Sequence, residues 1–205
     1  GTVMVKDIVP GTGSSGIGDS SYMFTAVGDT VFFDADDGTH GTELWKSDGT
    51  ESGTVMVKDI VPGTGSSEGS SSPFAALGDT IFFDADDGTH GIELWKSDGT
   101  ESGTVMVKDI RPDGAAGNPL YLTAVGDLLF FRATGSHDNG NDFDLWRSDG
   151  TEAGTIQLTN SDFQTPNGLE AIGDILFFRF QDTTANGYEM WRSDGTVAGT
   201  EMIDL

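Results

Sequence analysis

Two acidic loops carry the side chains of this chain that are best suited to chemistry. The first loop reads DADDGTHGTE from position 34, and the second reads DADDGTHGIE from position 84. Closely spaced carboxylates, with a glycine that lets the backbone turn, suit Ca²⁺, which takes about six to eight oxygen ligands in a flexible cage. The loops therefore predict calcium sites, with a solvated acidic turn as the alternative. The predicted ligands are Asp34, Asp36, Asp37, Glu43, Asp84, Asp86, Asp87 and Glu93.

Two later segments carry weaker versions of the same loop. RATGSHDNGNDFD keeps Asp138, Asp142 and Asp144, and RFQDTTANGYE keeps Asp182 and Glu189. The first two loops also depart from an EF-hand loop, because their third acid comes one position early and a terminal bidentate glutamate has no clear counterpart. Calcium is thus expected in the first two loops only.

Few side chains of this chain are suited to catalysis. The chain has no cysteine, and its histidines are His40, His90 and His137. His40 and His90 occupy equivalent positions in separate loops, and no serine lies in a nucleophile-elbow pattern. Active sites are usually unique, whereas the acidic side chains here recur. The sequence therefore predicts a protein that is not an enzyme, with no cofactor other than calcium.

Charge excludes two classes of partner. The chain has 34 acidic and 10 basic side chains, for a formal net charge of −24. A nucleic-acid backbone or an anionic membrane surface would be repelled by this charge. No apolar stretch reaches the roughly 18 residues that a membrane-spanning helix needs. We therefore expect neither nucleic-acid binding nor membrane insertion.

An internal repeat organises the whole chain. The tryptophans Trp45, Trp95, Trp146 and Trp191 are 50, 51 and 45 residues apart. Segments such as AVGDTVFF at position 26 and AIGDILFF at position 171 recur in step with them. This spacing is typical of the blades of repeat proteins. We expect one repeat domain over 1–205, with repeats at about 9–60, 61–110, 111–160 and 161–205 and an extra strand at 1–8.

Each repeat has the pattern of four antiparallel strands. In the first repeat these are predicted at 22–27, 30–35, 42–47 and 54–60, separated by glycine-containing turns. Four strands in about 50 residues predict an all-β fold of β-propeller type. The paired phenylalanines of each repeat would place one ring on each face of a strand. The four tryptophans are then expected to fill the core between neighbouring blades.

The SDGT segments have a local explanation. The aspartate of such a turn accepts a backbone hydrogen bond from two residues further on, and glycine takes a positive φ. In the first repeat, Asp48 and Gly49 are expected to supply the two positive-φ residues of a tight hairpin. Turn geometry alone accounts for the motif.

The segments ELWKSDGTESGT (twice), DLWRSDGTEAGT and EMWRSDGTVAGT resemble the ELWxxDGT repeat family of large bacterial cell-surface or secreted proteins. The resemblance covers essentially the whole chain. It implies a propeller-like repeat fold and an extracellular setting. It implies no biochemical activity, since the family is defined by its repeat.

The number of strands raises a question of assembly. The chain opens with GTVMVKDI at 1–8, a fourth-strand sequence, and also ends with one, GTEMIDL at 199–205. One strand is therefore in excess. Either the chain is an arc of a longer propeller protein, or the spare strand pairs with the edge of another copy. The residues available for strand exchange are Val3, Met4, Val5, Lys6 and Asp7.

Taken together, these features predict a non-catalytic structural or adhesive module of a bacterial surface or secreted protein. Strand exchange would make it a homo-oligomer or a filament. The alternative is a calcium-stabilised, lectin-like propeller that binds a carbohydrate or a surface protein through repeated sites. Exposed aromatic side chains near the loops would serve that function, and Tyr22, Tyr121 and Tyr188 are the candidates.

Overall fold

The computed structural model describes residues 1–17, 24–67, 69, 74–112, 114–135, 143–160, 165–182 and 187–204. These residues form four antiparallel sheets of four strands each. Within every sheet the strands follow one another in chain order, so each is joined to the next by a hairpin. The predicted all-β fold with four four-stranded repeats is confirmed.

Sheets 1 and 2 are built from the first two repeats. Sheet 1 contains β1 (Thr25–Val27), β2 (Thr30–Asp36), β3 (Thr42–Ser47) and β4 (Val55–Lys58). Sheet 2 contains β5 (Ala75–Leu77), β6 (Thr80–Asp86), β7 (Ile92–Ser97) and β8 (Val105–Lys108).

Sheets 3 and 4 follow in the same order. Sheet 3 contains β9 (Leu120–Val125), β10 (Leu128–Ala133), β11 (Asp144–Ser148) and β12 (Ile156–Gln157). Sheet 4 contains β13 (Asn167–Ile172), β14 (Ile175–Asp182), β15 (Gly187–Ser193) and β16 (Glu201–Met202).

Three local predictions need correction. Strand β4 ends at Lys58, not at position 60, because the Ile60 amide leaves the ladder and donates to the carboxylate of Glu43. In the SDG turn only Gly49 has a positive φ, of 84°, since Asp48 closes the turn with its side chain. Residues 1–8, though described, form no strand. A fourth strand pairs with the third strand of its own sheet, and no described strand is placed to pair with residues 1–8.

Each sheet has two apolar faces, as the paired phenylalanines predicted. We call the side towards the next repeat the trailing face and the opposite side the leading face. In sheet 1, Phe32 and Leu44 lie on the trailing face, and Phe33 and Trp45 lie on the leading face. Successive side chains alternate in this way along any strand.

Neighbouring sheets bury these faces against each other. Phe32 and Leu44 pack against Ile81, Phe83 and Trp95 on the leading face of sheet 2. Equivalent clusters join sheet 2 to sheet 3 and sheet 3 to sheet 4. Each fully buried side chain of this size contributes about 1.5–3 kcal/mol. Burial on both faces therefore holds the sheets in one series.

The four tryptophans lie on leading faces. Trp45, Trp95 and Trp146 are each less than 8% exposed. Trp191 is half-buried and contacts the rings of Phe178 and Phe180. Among the described residues there is no helix with the length and apolarity to span a membrane.

Candidate functional site: the two ends of the repeat array

The SDGTxxGT segment forms a closed hydrogen-bond network in each repeat. The Thr50 amide donates to Asp48 Oδ1 at 2.9 Å, and the Gly53 amide donates to Thr50 Oγ1 at 2.9 Å. Thr54 Oγ1 donates to the Thr50 carbonyl at 2.7 Å and lies 2.7 Å from Ser47 Oγ. The side-chain and backbone hydrogen bonds from Thr50 hold the pKa of Asp48 below its ordinary value. This motif is structural, as turn geometry predicted.

The glycine of the same turn also has a role between sheets. A Cβ atom on Gly99 would lie 3.2 Å from the Phe32 ring of the preceding sheet. Gly150 has the same relation to Phe82, at 3.2 Å, and Gly195 lies against Leu128 and Phe130. Nothing described lies within 4 Å of that position on Gly49. Sequence reasoning missed this contact, and sheet 1 alone lacks a partner for it.

The acidic loops use their aspartates to cap their own backbone. Asp36 Oδ1 accepts the Gly38 amide at 2.7 Å. Asp37 Oδ1 accepts the His40 amide at 3.0 Å, and its Oδ2 lies 2.8 Å from His40 Nδ1. That side-chain hydrogen bond raises the pKa of His40. The second loop repeats all of these contacts through Asp86, Asp87 and His90.

The glutamate of each acidic loop is buried and holds the connector that follows the sheet. Glu43 accepts the Ile60 amide at 3.0 Å, the Val61 amide at 3.2 Å and the Ser67 hydroxyl at 2.6 Å. Glu93 accepts the Ile110 amide at 2.9 Å and the Gly117 amide at 2.8 Å. Burial raises the pKa of Glu43, and it raises that of Glu93 to about 7.

The predicted calcium ligands are therefore not brought together. Asp34 and Asp84 lie beside Leu44 and Leu94 in the strand register, so they project from the opposite side of the sheet to Glu43 and Glu93. In the described parts of the chain, no three acidic or histidine side chains are placed to hold one metal ion. Three further residues of the acidic-loop interpretation, His137, Asp138 and Asp142, lie outside the described residues.

The N-terminal segment lies on sheet 1 as β4 lies on sheet 2. Lys6 Nζ donates to the Thr54 carbonyl at 2.8 Å, and Lys58 Nζ donates to the equivalent Thr104 carbonyl at 2.8 Å. Ile8 packs against the leading-face cluster of sheet 1. Residues 1–8 therefore take the place of a fourth strand from a preceding sheet.

The connector after this segment follows the same pattern. The Asp36 amide donates to the Ser15 carbonyl at 2.9 Å, and the Asp86 amide donates to the equivalent Ser67 carbonyl at 3.2 Å. The outer side of the segment is open, with Val3 80% and Met4 77% exposed. These apolar side chains are available for a further contact.

At the other end of the array, the trailing face of sheet 4 is uncovered. Ile172 is 66% exposed, whereas its equivalent in sheet 3, Val125, is 3% exposed. Met190 and Tyr188 are also mainly exposed, and Phe177 is half-buried. Phe177, Tyr188 and Met190 border an open depression of about 570 Å³. An apolar face that is buried in every other repeat thus remains in solvent here.

Two arginines replace the aspartates that follow the paired phenylalanines. The Arg132 guanidinium lies 4.3 Å from the ring centre of Tyr121 and 4.7 Å from that of Phe143, and it donates to Asn167 Oδ1 at 2.9 Å. Arg179 lies 5.1 Å from the ring centre of Tyr188 on the open face. Tyr121 and Tyr188 are about half exposed, while Tyr22 lies outside the described residues. The sequence feature that marks these arginine–tyrosine pairs is the replacement of Asp34 and Asp84 by Arg132 and Arg179 at the equivalent positions.

Comparison with known proteins supports the fold and nothing finer. No protein-family model and no curated protein sequence matches the chain. Among solved structures, the chain is similar to a prolyl endopeptidase, with a TM-score of 0.51 and 13% identity over 86% of this chain and 24% of the other. It is also similar to a puromycin hydrolase, with a TM-score of 0.50 and 14% identity over 85% and 27%.

A third similar structure is a TolB protein from Agrobacterium tumefaciens, with a TM-score of 0.46 and 13% identity over 85% of this chain and 61% of that one. The chain therefore spans less than two thirds of the length of each of these proteins. At such low identity the two hydrolase structures show a likeness of fold alone. The chain has an all-β, β-propeller-like fold.

Proposed function

We propose that this chain is a non-catalytic structural module of a bacterial surface or secreted protein, of the ELWxxDGT repeat type, that assembles end to end. Its sheets are then an open arc of a propeller. The trailing face of sheet 4 in one copy packs against the leading side of sheet 1 in the next copy. Assembly of this kind gives a homo-oligomer or a filament.

The uncovered trailing face of sheet 4 carries this proposal. Three sheets bury their trailing faces against a following repeat, and sheet 4 exposes Ile172, Tyr188 and Met190. An exposed apolar face of this kind in a soluble protein typically marks an interaction surface. Its chemistry matches the leading face of a repeat of the same type, because that is what covers it elsewhere.

The acidic side chains support a structural function over a catalytic one. The most buried carboxylates, Glu43 and Glu93, already accept backbone hydrogen bonds from their own connectors. Each aspartate of the SDGT turns is engaged by the threonine two residues later. These carboxylates hold connectors and turns in place, and they do so in several repeats. An active site instead requires one unique set of catalytic groups.

The test is the molar mass of the protein in solution over a range of concentrations, by size exclusion with light scattering. Salt should be near 0.15 M, where the Debye length is about 8 Å, so that the net charge of −24 does not itself keep copies apart. We expect the mass to rise with concentration. Met190→Asp should return the protein to a monomer.

The matched control is Val197→Asp, because Val197 is exposed to a similar degree, 61% against 51% for Met190, but lies in the turn after Ser193, away from the open face. It should assemble as the unmodified chain does. A monomeric mass at every concentration for the unmodified chain would disprove the assembly proposal.

A second candidate function is glycan or protein binding by a lectin-like propeller. One observation favours it: Tyr121 is 50% exposed, has a positive φ of 58° and stacks on Arg132. Non-glycine residues held in this region cost about 1–3 kcal/mol and often belong to binding sites. A glycan array probed with the chain and with Tyr121→Ala tests it. Signals that are equal for the two proteins would exclude Tyr121 as the binding residue.

A further inference from the structure

We propose that, in the end-to-end assembly described above, residues 1–8 of one copy replace β16 as the fourth strand of sheet 4 in a second copy. This inference rests on the proposed function and specifies its contact. The residues that pair are Val3 to Asp7 on the donor and the outer edge of β15 (Gly187–Ser193) on the acceptor.

The strand that would be displaced is the weaker of the two candidates. β16 has two residues, which pair as Trp191 with Met202 and Arg192 with Glu201, and one further backbone bond joins the Ile203 amide to the Met190 carbonyl. β4, by contrast, has four residues. The donor segment GTVMVKDI is identical to residues 53–60 and 103–110, which contain β4 and β8.

Side-chain preference points the same way. The donor has the β-branched Val3 where β16 has Glu201. β-Branched residues favour strands more than glutamate does, by less than about 1 kcal/mol per residue. Glu201 also forms an exposed ion pair with Arg192, and exposed pairs of this kind contribute about 0–1 kcal/mol. Little stability would therefore be lost when β16 leaves.

Glu189 should take part in the exchanged contact. Its equivalents, Glu43 and Glu93, accept the amides of Ile60 and Ile110, which follow the fourth strand of their own sheets. Glu189 occupies the equivalent position in β15 and is half-buried. In the exchanged sheet, the Ile8 and Val9 amides of the donor would stand where Ile60 and Val61 stand relative to Glu43.

The donor segment already has the required place on sheet 1. Residues 1–8 already lie on sheet 1 as β4 lies on sheet 2, through the Lys6 and Lys58 hydrogen bonds. Placing the segment on β15 therefore brings sheet 1 of the donor against the open trailing face. The uncovered position at Gly49 then receives the ring of Phe177, as Gly99 receives Phe32.

The occupant is a second copy of this chain, since the donor segment and the acceptor edge lie at opposite ends of the array. Such a head-to-tail contact repeats from copy to copy and gives open chains when the rotation does not close. The assembly should therefore grow beyond a dimer.

Disulfide trapping tests the register, because the chain contains no cysteine of its own. Val55 lies opposite Lys46 in sheet 1, so Val3 of the donor should lie opposite Arg192 of the acceptor. Opposite residues in antiparallel strands have Cα atoms about 4.5–5.5 Å apart, within the range of a disulfide. Mild oxidation of the double variant Val3→Cys/Arg192→Cys should yield a ladder of covalent oligomers.

The matched control locks β16 in place. Arg192 lies opposite Glu201 in the structure, so Arg192→Cys/Glu201→Cys should form a disulfide within one chain. Oxidised, this variant should no longer assemble, and reduction should restore assembly. If the oxidised variant assembles like the unmodified chain, strand exchange is wrong while face-to-face docking stands. If the unmodified chain never assembles, the proposed function itself has failed.

Two further outcomes are decisive. A disulfide within single chains of the Val3→Cys/Arg192→Cys variant would overturn the second-copy proposal and show a ring that closes on itself.

Glu189→Ala in that background should weaken the contact about tenfold, as expected for lost hydrogen bonds to a charged acceptor. Glu101→Ala removes an equal charge from an exposed turn of sheet 2, away from the contact, and should leave the ladder unchanged. Equal ladders for the two variants would remove Glu189 from the contact. Thermal melts of each variant check that it is folded.

Discussion

The Phe32 ring of sheet 1 covers Gly99 in the SDG turn of sheet 2, with 3.2 Å between the ring edge and the place where a Cβ atom would stand. The turn glycine thus meets two requirements at once. Its φ of 84° is one that residues with a side chain rarely adopt, and its bare surface admits the neighbouring ring. Gly49 has the same φ but no described neighbour within 4 Å of that position. A comparison of Gly49 with Gly99 therefore separates the effect of the backbone conformation from the effect of the neighbouring ring.

Substitution of these two glycines by alanine should therefore have unequal effects. Gly49→Ala should cost about 1–2 kcal/mol, from the left-handed backbone alone. Gly99→Ala should cost about 1–3 kcal/mol more, because the methyl group also presses on Phe32. Urea unfolding of the two variants, at a concentration where the chain is monomeric, measures the difference. Equal losses would show that the inter-sheet contact adds nothing.

The buried threonine at the end of the SDGTxxGT network should be sensitive to loss of its hydroxyl. Thr104 is fully buried, and its Oγ1 bonds to Ser97 Oγ and to the Thr100 carbonyl, both at 2.7 Å. Thr104→Val strands these groups and should cost about 1–3 kcal/mol in unfolding free energy. Thr200→Val, at the more open equivalent site in sheet 4, is the control and should cost less. The prediction fails if the two variants unfold at the same denaturant concentration.

Glu93 should make stability depend on pH. Burial raises its pKa to about 7, so the folded chain holds this proton more tightly than the unfolded chain does. The resulting stabilisation is complete below the ordinary glutamate pKa of about 4.3 and is lost as the pH rises through about 7. The melting temperature of the unmodified chain relative to Glu93→Gln should therefore fall between about pH 5 and pH 8.

Glu101→Gln is the control for this experiment, because Glu101 lies exposed in a turn. Its melting temperature should follow that of the unmodified chain across the whole pH range. Parallel profiles for the unmodified chain and Glu93→Gln would mean that Glu93 does not titrate in this range.

Calcium should have no specific effect on stability. Asp37 and Glu43 are already engaged by His40 and by the connector, and Asp34 projects from the other side of the sheet to Glu43. We expect equal melting temperatures in EDTA and in calcium, after correction for the general effect of a divalent cation measured with magnesium. A shift found with calcium alone, and abolished by Asp36→Asn/Asp37→Asn, would restore the calcium site that the sequence predicts.

Local patterns predicted the repeat unit well. The number of sheets, their strand order and the aspartate-threonine turn all follow from glycine punctuation and from side chains that bond within a few residues. The acidic loops were harder, because the role of Glu43 depends on partners 17 to 24 positions further along the chain. Nothing in the local pattern distinguishes a glutamate that binds a cation from one that holds a connector.

The sequence by itself determined the all-β repeat, because alternation, turn residues and period are local properties that each unit carries independently. Only the tertiary structure decided which faces are covered. Residues 1–8 have the same sequence as residues 53–60 and 103–110, which contain β4 and β8. They nevertheless lie outside any sheet, against the leading face of sheet 1. Identical segments differ here because pairing and burial depend on which neighbours are within reach, and only the packed chain supplies those neighbours.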